Sequence, residues 1–148
     1  KSAEDLVNSS ENMRKCDYKD NRRVGKGWFK SAEDTLIQNF QDFNVKLPYI
    51  HKGWFSETLP QHLPKEIAFA HLDGDFYSST LDALENIYPK MSKGAIAIID
   101  DYCDPKIHGR QSSLPGVKVA CDKFFNDKNE KVEVLAGGAA YHAYFKKT

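Results

Sequence analysis

Two short apolar runs, 67–72 (IAFAHL) and 95–99 (AIAII), each end in acidic residues: Asp73-Gly74-Asp75 after the first and Asp100-Asp101 after the second. A helical pattern separates them. Apolar runs of this length, rich in Ile and Ala and bounded by turn or helix signals, suit strands buried on both faces of a parallel sheet. Strand, helix, strand is a right-handed crossover unit, which brings both strand C-termini to one edge of the sheet. Ligands of open α/β sheets bind outside that edge. Four carboxylates therefore converge where a site is expected.

Carboxylates crowded together repel one another and lose solvent, so their pKa values rise or a cation joins them. A donor set made only of oxygen suits Mg²⁺, Mn²⁺ or Ca²⁺ rather than zinc. The plain alternative is that Asp73 and Asp100 only cap the segments after their strands. Two clusters on neighbouring parallel strands favour a metal or catalytic site.

The 148 residues suffice for one domain with a real core, so 1–148 reads as a single domain. Charges balance at 21 basic and 21 acidic residues, which gives no electrostatic argument for nucleic acid or membrane surfaces. No apolar run approaches the roughly 18 residues of a membrane span. The three cysteines, Cys16, Cys103 and Cys121, lack metal-site spacing and suit a reducing, cytoplasmic setting.

Along the chain, 1–25 is polar and reads as a loop or excursion. Ser31 and Asp34 form a capping box ahead of a helix whose stripe Leu36, Ile37, Phe40 and Phe43 predicts core packing. LPYIH at 47–51 predicts a short strand, with Gly53 as its tight exit. Trp54 and Phe55 then suit either the core or a stacking platform at the ligand edge. Ser78 or Ser79 caps the central helix, which turns Leu81, Leu84 and Ile87 inward. The stretch 102–116 is rich in Pro, Gly and Ser and reads as an active-site loop, in which His108 and Arg110 suit solvated positions better than substrate contacts. A helix over 116–126 points Val117, Ala120, Cys121, Phe124 and Phe125 inward. Strands at 132–135 and 140–145, joined at Gly137-Gly138, predict an antiparallel hairpin on the sheet edge. His71 and His142 fall inside strands and find no partner in the linear pattern.

The stretch HLDGDFYSSTLDALENIYPKMSKGAIAIIDDY, with KGWFSETLP before it and GVKVACDKFF after it, resembles the macrocin and mycinamicin sugar O-methyltransferases. The likeness extends over about residues 26–148. It implies an α/β, Rossmann-like methyltransferase fold, of which this chain carries the C-terminal part of a mostly parallel sheet ending in an antiparallel hairpin. It also implies S-adenosylmethionine as methyl donor, a sugar hydroxyl on a natural product as acceptor, and Mg²⁺ or another divalent cation on Asp73, Asp100 and Asp101. Asp75 matches the residue in the general-base role. Gly53, Trp54, Ser56 and Asp73 become the cofactor-side residues.

The chain departs from the family at its start. The family's glycine-rich loop after a first strand, and the acidic end of a second strand, have no counterpart before Lys26. The domain reads as partial, and the chain alone is expected to bind the cofactor weakly and to self-associate, as a homo-oligomer, through exposed sheet edge. Other readings of the acidic pattern are a haloacid-dehalogenase-type phosphatase, a metal-dependent glycosyltransferase and a non-catalytic binding fragment. The phosphatase wants Thr or Val where Tyr77 stands, and Asp100-Asp101-Tyr102 is no part of the glycosyltransferase pattern.

Overall fold

The computed structural model describes residues 32–109, 114–135 and 142–148. The 1–25 segment, Ser31, Arg110 and the Gly137-Gly138 turn lie outside the described residues. Residues 53–148 fall in one compact unit and residues 32–52 in another.

In the second of these, helix α1 (Glu33–Asp42) starts from an extended Ala32 with no side-chain cap. The predicted core stripe does not form here. Leu36 is exposed, Phe43 is 80% exposed, and no residue of α1 is buried. LPYIH is not a strand: Pro48 lacks a backbone donor, no described strand pairs with this segment, and Tyr49 stands in solvent.

The larger unit begins with α2 (Phe55–His62). Next come β1 (Ile67–Leu72), α3 (Tyr77–Ile87), a 3₁₀ turn (Tyr88–Lys90) and β2 (Met91–Asp100). A short α4 (Pro105–His108), α5 (Pro115–Phe125), β3 (Glu133–Leu135) and β4 (His142–Lys146) complete it. The sheet order is β1-β2-β4-β3. β1 and β2 run parallel, as the crossover through α3 requires. β4 runs antiparallel to both β2 and β3, so the late hairpin is present with β4 as its inner strand. Helix α3 starts one residue before the predicted serine caps, with Phe76 extended and its carbonyl accepting from the Thr80 N–H.

The side-chain period of two sorts the sheet into faces. Ala95, Ala97 and Ile99 of β2, Ala143 and Phe145 of β4, and Leu72 of β1 are buried. Leu84 and Ile87 of α3 and Val117 and Cys121 of α5 join the same core cluster. Three alanines on this face let the helices approach closely. The other face is open among the described residues: Phe69 is 60% and Ile96 40% exposed. Burial on both faces of β1 and β2, as predicted, is thus seen on one face only, because no described element covers the second.

Gly116 marks the tightest helix contact. A Cβ there would lie 2.8 Å from the Tyr77 backbone nitrogen and 3.1 Å from its Cβ. Gly116→Ala gains at most about 1 kcal/mol of helix propensity. Forcing α3 and α5 apart costs about 1–3 kcal/mol, and backbone cannot rotate away as a side chain can. The variant is expected to be destabilised by denaturant midpoint, and an unchanged midpoint would show that the crossing is slack.

Glu130, in the polar run before β3, is buried. Its carboxylate accepts from Tyr88 Oη at 2.7 Å, Lys147 Nζ at 3.1 Å, and both the backbone N–H and the hydroxyl of Thr148. Burial alone would push its pKa up, but the hydrogen bonds from Tyr88, from Thr148 and from its own backbone hold it far below the usual range. Lys147 also lies over the Tyr88 ring at 4.0 Å. A group whose folded pKa is depressed contributes stability above its unfolded pKa and loses it as pH falls through the folded value. Glu130→Ala should therefore cost about 2–3 kcal/mol at pH 7. The gap to wild type should begin to narrow as pH drops below about 4 and close only as pH falls through the folded value, well below the usual carboxylate range. Thermal melts at pH 7 and at about pH 2 check this, and a gap independent of pH would remove the charge from the account.

Candidate active site

The strand ends meet as the crossover predicts. Carboxylate oxygens of Asp73, Asp75 and Asp101 all lie within 4.8 Å of one another. β1 ends at Leu72, and Asp73-Gly74-Asp75 turns the chain into α3. Gly74 is needed because a Cβ there would meet the Thr80 nitrogen at 3.1 Å and the Thr80 Oγ1 at 3.2 Å. The turn is tightened by the Phe76 N–H, which donates to the Gly74 carbonyl. Asp75 and Asp101 both adopt left-handed backbone, with φ of 56° and 57°. Asp tolerates this region better than most residues, yet two such residues flanking one site store strain where chemistry is expected.

The crowding sets the electrostatics. Burial first, then the charges of Asp73 and Asp101, push the Asp75 pKa up to about 6. Asp101 is raised by burial and by Asp73 and Asp100, against an opposing hydrogen bond with Asp75. Below about pH 6 the proton of the pair resides on Asp75, which hydrogen-bonds to Asp101. This is the behaviour of close, uncompensated carboxylates.

Asp100 takes a different environment. Its Oδ1 accepts from His142 Nδ1 at 2.6 Å and its Oδ2 from His71 Nε2 at 2.9 Å. The tight group is Asp73, Asp75 and Asp101, with Asp100 beside it and held by the two histidines. Neither histidine is visible as a site residue in the sequence, because their partner lies on another strand. The signal available is the strand period, which puts His71 and Asp100 on like faces once the register is known.

Of the cofactor-side residues, Trp54 is 75% exposed, and its carbonyl accepts from the Glu57 and Thr58 N–H groups at the start of α2. Gly53 (φ 156°) could not carry a Cβ, which would fall 2.8 Å from Thr58 Cγ2. A groove of about 410 Å³ runs along the edge of β1 that is unpaired among the described residues, lined by Phe55 and Leu59 of α2 and by Phe69, Leu72 and Asp73. Trp54 therefore adjoins one wall of a groove that reaches the acidic turn. Elsewhere in the predicted loop, Asp104 caps α4 through the Lys106 N–H, and His108 Nδ1 ties back to Asp104. Cys103 and Cys121 are buried, and burial pushes the Cys121 thiol up to about 12, so Cys121 is unreactive.

The family profile described as macrocin O-methyltransferase (TylF) matches residues 2–133. The chain belongs to this family. Mycinamicin III 3''-O-methyltransferase of Micromonospora griseorubida is 47% identical over 73 residues, 48% of this chain and 29% of that protein. Demethyldecarbamoylnovobiocin O-methyltransferase of Streptomyces niveus is 38% identical over 78 residues, 50% of this chain and 30% of that protein. The solved O-methyltransferase NovP superposes with a TM-score of 0.64 at 29% identity, over 79% of this chain and 45% of that one. The chain thus spans about a third of the length of the curated relatives it matches. The fold is that of the Rossmann-like methyltransferases, carried here by a mixed sheet of four strands among the described residues. No helix among the described residues is long and apolar enough to cross a membrane.

Proposed function

We propose that this chain serves O-methyl transfer from S-adenosylmethionine to a sugar hydroxyl on a natural product, with a divalent cation, Mg²⁺ by preference, at the acidic turn. The observation that carries the reading is the gathering of Asp73, Asp75 and Asp101 within 4.8 Å at the strand ends of a chain of this family. The acceptor class is taken from similar proteins, whose names give mycinamicin III and TDP-rhamnose as what they methylate.

The residues fit a hard cation on three grounds. The donors are all carboxylate oxygens. Burial, and then the neighbouring carboxylates, raise the pKa values of Asp75 and Asp101, so positive charge is what the turn lacks. The Thr80 hydroxyl, beside Gly74, is buried without a hydrogen-bond partner among the described residues. Asp73, Asp100 and Asp101 would hold the cation, which when bound makes a neighbouring sugar hydroxyl more acidic. Asp75 then accepts the hydroxyl proton, and a carboxylate with a pKa near 6 is better matched to that task at neutral pH than an ordinary one. The strained turn holds the base in place through the start of α3.

S-adenosylmethionine, when bound, supplies the electrophilic methyl group. Gly53, Trp54, Ser56 and Asp73 are the cofactor-side residues of this reading, with the exposed Trp54 ring as platform. Such stacking is worth about 1–3 kcal/mol by analogy with bases on aromatics. Millimolar affinity already needs about 4 kcal/mol and micromolar affinity about 8. Gly25 and Gly27 follow a polar run, whereas the usual glycine loop follows an apolar strand. The chain by itself is expected to bind S-adenosylmethionine with Kd above about 1 mM by calorimetry. Micromolar binding would show that other residues of this chain complete the pocket. The function itself is tested with labelled cofactor at millimolar concentration, Mg²⁺ and a rhamnosyl glycoside. Labelled O-methyl product that disappears with a chelator is expected; product that is indifferent to chelation removes the cation, and no product removes the transfer.

A further inference from the structure

We propose that His71 and His142 are positioning residues, which hold both oxygens of Asp100 and thereby fix the strand end from which Asp101 departs. Three strands supply the arrangement. Asp100 pairs with His142 across the β2–β4 ladder, and His71 of β1 pairs with Ile98, two residues before Asp100 and on the same face. Ile99, Leu72 and Ala143 occupy the core face, so all three polar residues stand on the open face of the sheet.

The geometry defines the chemistry. A carboxylate only accepts, so His142 Nδ1 and His71 Nε2 each donate an N–H, at 2.6 Å and 2.9 Å. Neutral rings suffice for both bonds. An ionised carboxylate offers about four lone-pair directions, and the two histidines take one on each oxygen. One direction per oxygen stays available at the edge beside Asp101.

Fold stability does not account for the clamp. The imidazoles are 54% and 39% exposed and Asp100 is 20% exposed. Bonds this open to water contribute about 0–1 kcal/mol. What they do restrict is the rotamer of Asp100. Carboxylates that bind cations are commonly held by outer hydrogen bonds of this kind, and losing one costs about 10–100-fold in metal affinity or activity. The inference rests on the reading that Asp100 joins Asp73 and Asp101 around a cation.

The test is Mn²⁺ binding to the full chain, followed by paramagnetic resonance of the free ion and by calorimetry, with a thermal melt for every variant. His142→Ala and His71→Ala should each weaken Mn²⁺ by about 10–100-fold. Their melting temperatures should barely move. His142→Asn and His71→Gln, whose amides place an N–H near the lost Nδ1 and Nε2, should recover most of the affinity. Alanine variants that bind like wild type, while Asp100→Asn binds poorly, overturn the positioning role and leave the cation site standing. Alanine variants that lose affinity only in step with melting temperature, without amide rescue, make the histidines structural and also overturn it. Wild type that binds no Mn²⁺ removes the cation reading and the clamp with it, whereas Asp100→Asn that binds normally overturns the clamp and leaves the cation to Asp73, Asp75 and Asp101.

Discussion

Asp75→Asn is expected to lower methyl transfer by about 10²–10⁴-fold, the usual contribution of a positioned general base, while making the cation-free chain more stable at pH 7. The two effects have one cause. Asp75 is pushed up to about 6 by burial and by Asp73 and Asp101. Its unfolded counterpart titrates near 3.9. Below pH 4 both states hold the proton and the group is neutral to stability. As pH rises through 6 the folded state is forced to ionise a carboxylate among carboxylates, so wild type loses stability across that window. Two pKa units correspond to about 3 kcal/mol, and solvent access to this half-open site reduces that to roughly 1–2 kcal/mol. Asn tolerates the left-handed backbone at this position and keeps the shape of the turn. The expected pattern in a chelator is a melting-temperature gain that is absent at pH 4 and complete by pH 7. Turnover near wild type at pH 7 would take the base role from Asp75. A gain equal at both pH values would take its charge out of the account.

Residues with local consequences were legible in the sequence. The apolar runs, the helix between them and the glycine-bounded turns locate β1, α3, β2 and α5 to within a few residues, because strand and helix periods are local properties. The meeting of Asp73, Asp75 and Asp101 followed from the handedness of one crossover. What resisted reading was set by register and by distant partners. His71 and His142 look like ordinary strand residues until the β1–β2 and β2–β4 ladders bring them to Asp100. Glu130 is one acid in a charged run, and its partners Tyr88 and Lys147 lie 42 and 17 residues away. The stripe of α1 predicted a buried face, but amphipathicity says which side is apolar and nothing of what covers it; Leu36 and Phe43 are exposed. LPYIH has strand-like content, but a strand also needs a neighbour to pair with. The left-handed backbone at Asp75 and Asp101 has no sequence signal, since Asp is permitted there without being required.

Removing any one of Asp73, Asp100 and Asp101 as a charge is expected to abolish divalent cation binding to this chain. The site as it stands is frustrated: Asp101 and Asp75 are both raised, and Asp73 is among the causes of each shift. A divalent ion compensates these charges together, so its affinity depends on having several of them. Hard cations take several oxygen ligands and distinguish poorly between an amide and water, so replacing one carboxylate by an amide removes a full charge and a ligand at once. At about 4 kcal/mol per unit pair 4 Å apart in partly solvated surroundings, loss of one charge outweighs any relief of repulsion among the two or three that stay. Asp73→Asn, Asp100→Asn and Asp101→Asn are therefore each expected to weaken Mg²⁺ or Mn²⁺ by at least about 100-fold, which needs only about 2.7 kcal/mol. Asp104→Asn serves as the control, because Asp104 caps α4 and pairs with Lys118 at 3.6 Å instead of joining the acidic group. Calorimetric titration of the four variants at pH 7.5 decides between outcomes. Loss in the first three and retention in the control is the expected result. Equal affinity in Asp100→Asn with loss in the other two would move the cation onto Asp73, Asp75 and Asp101, the group whose oxygens already lie within 4.8 Å.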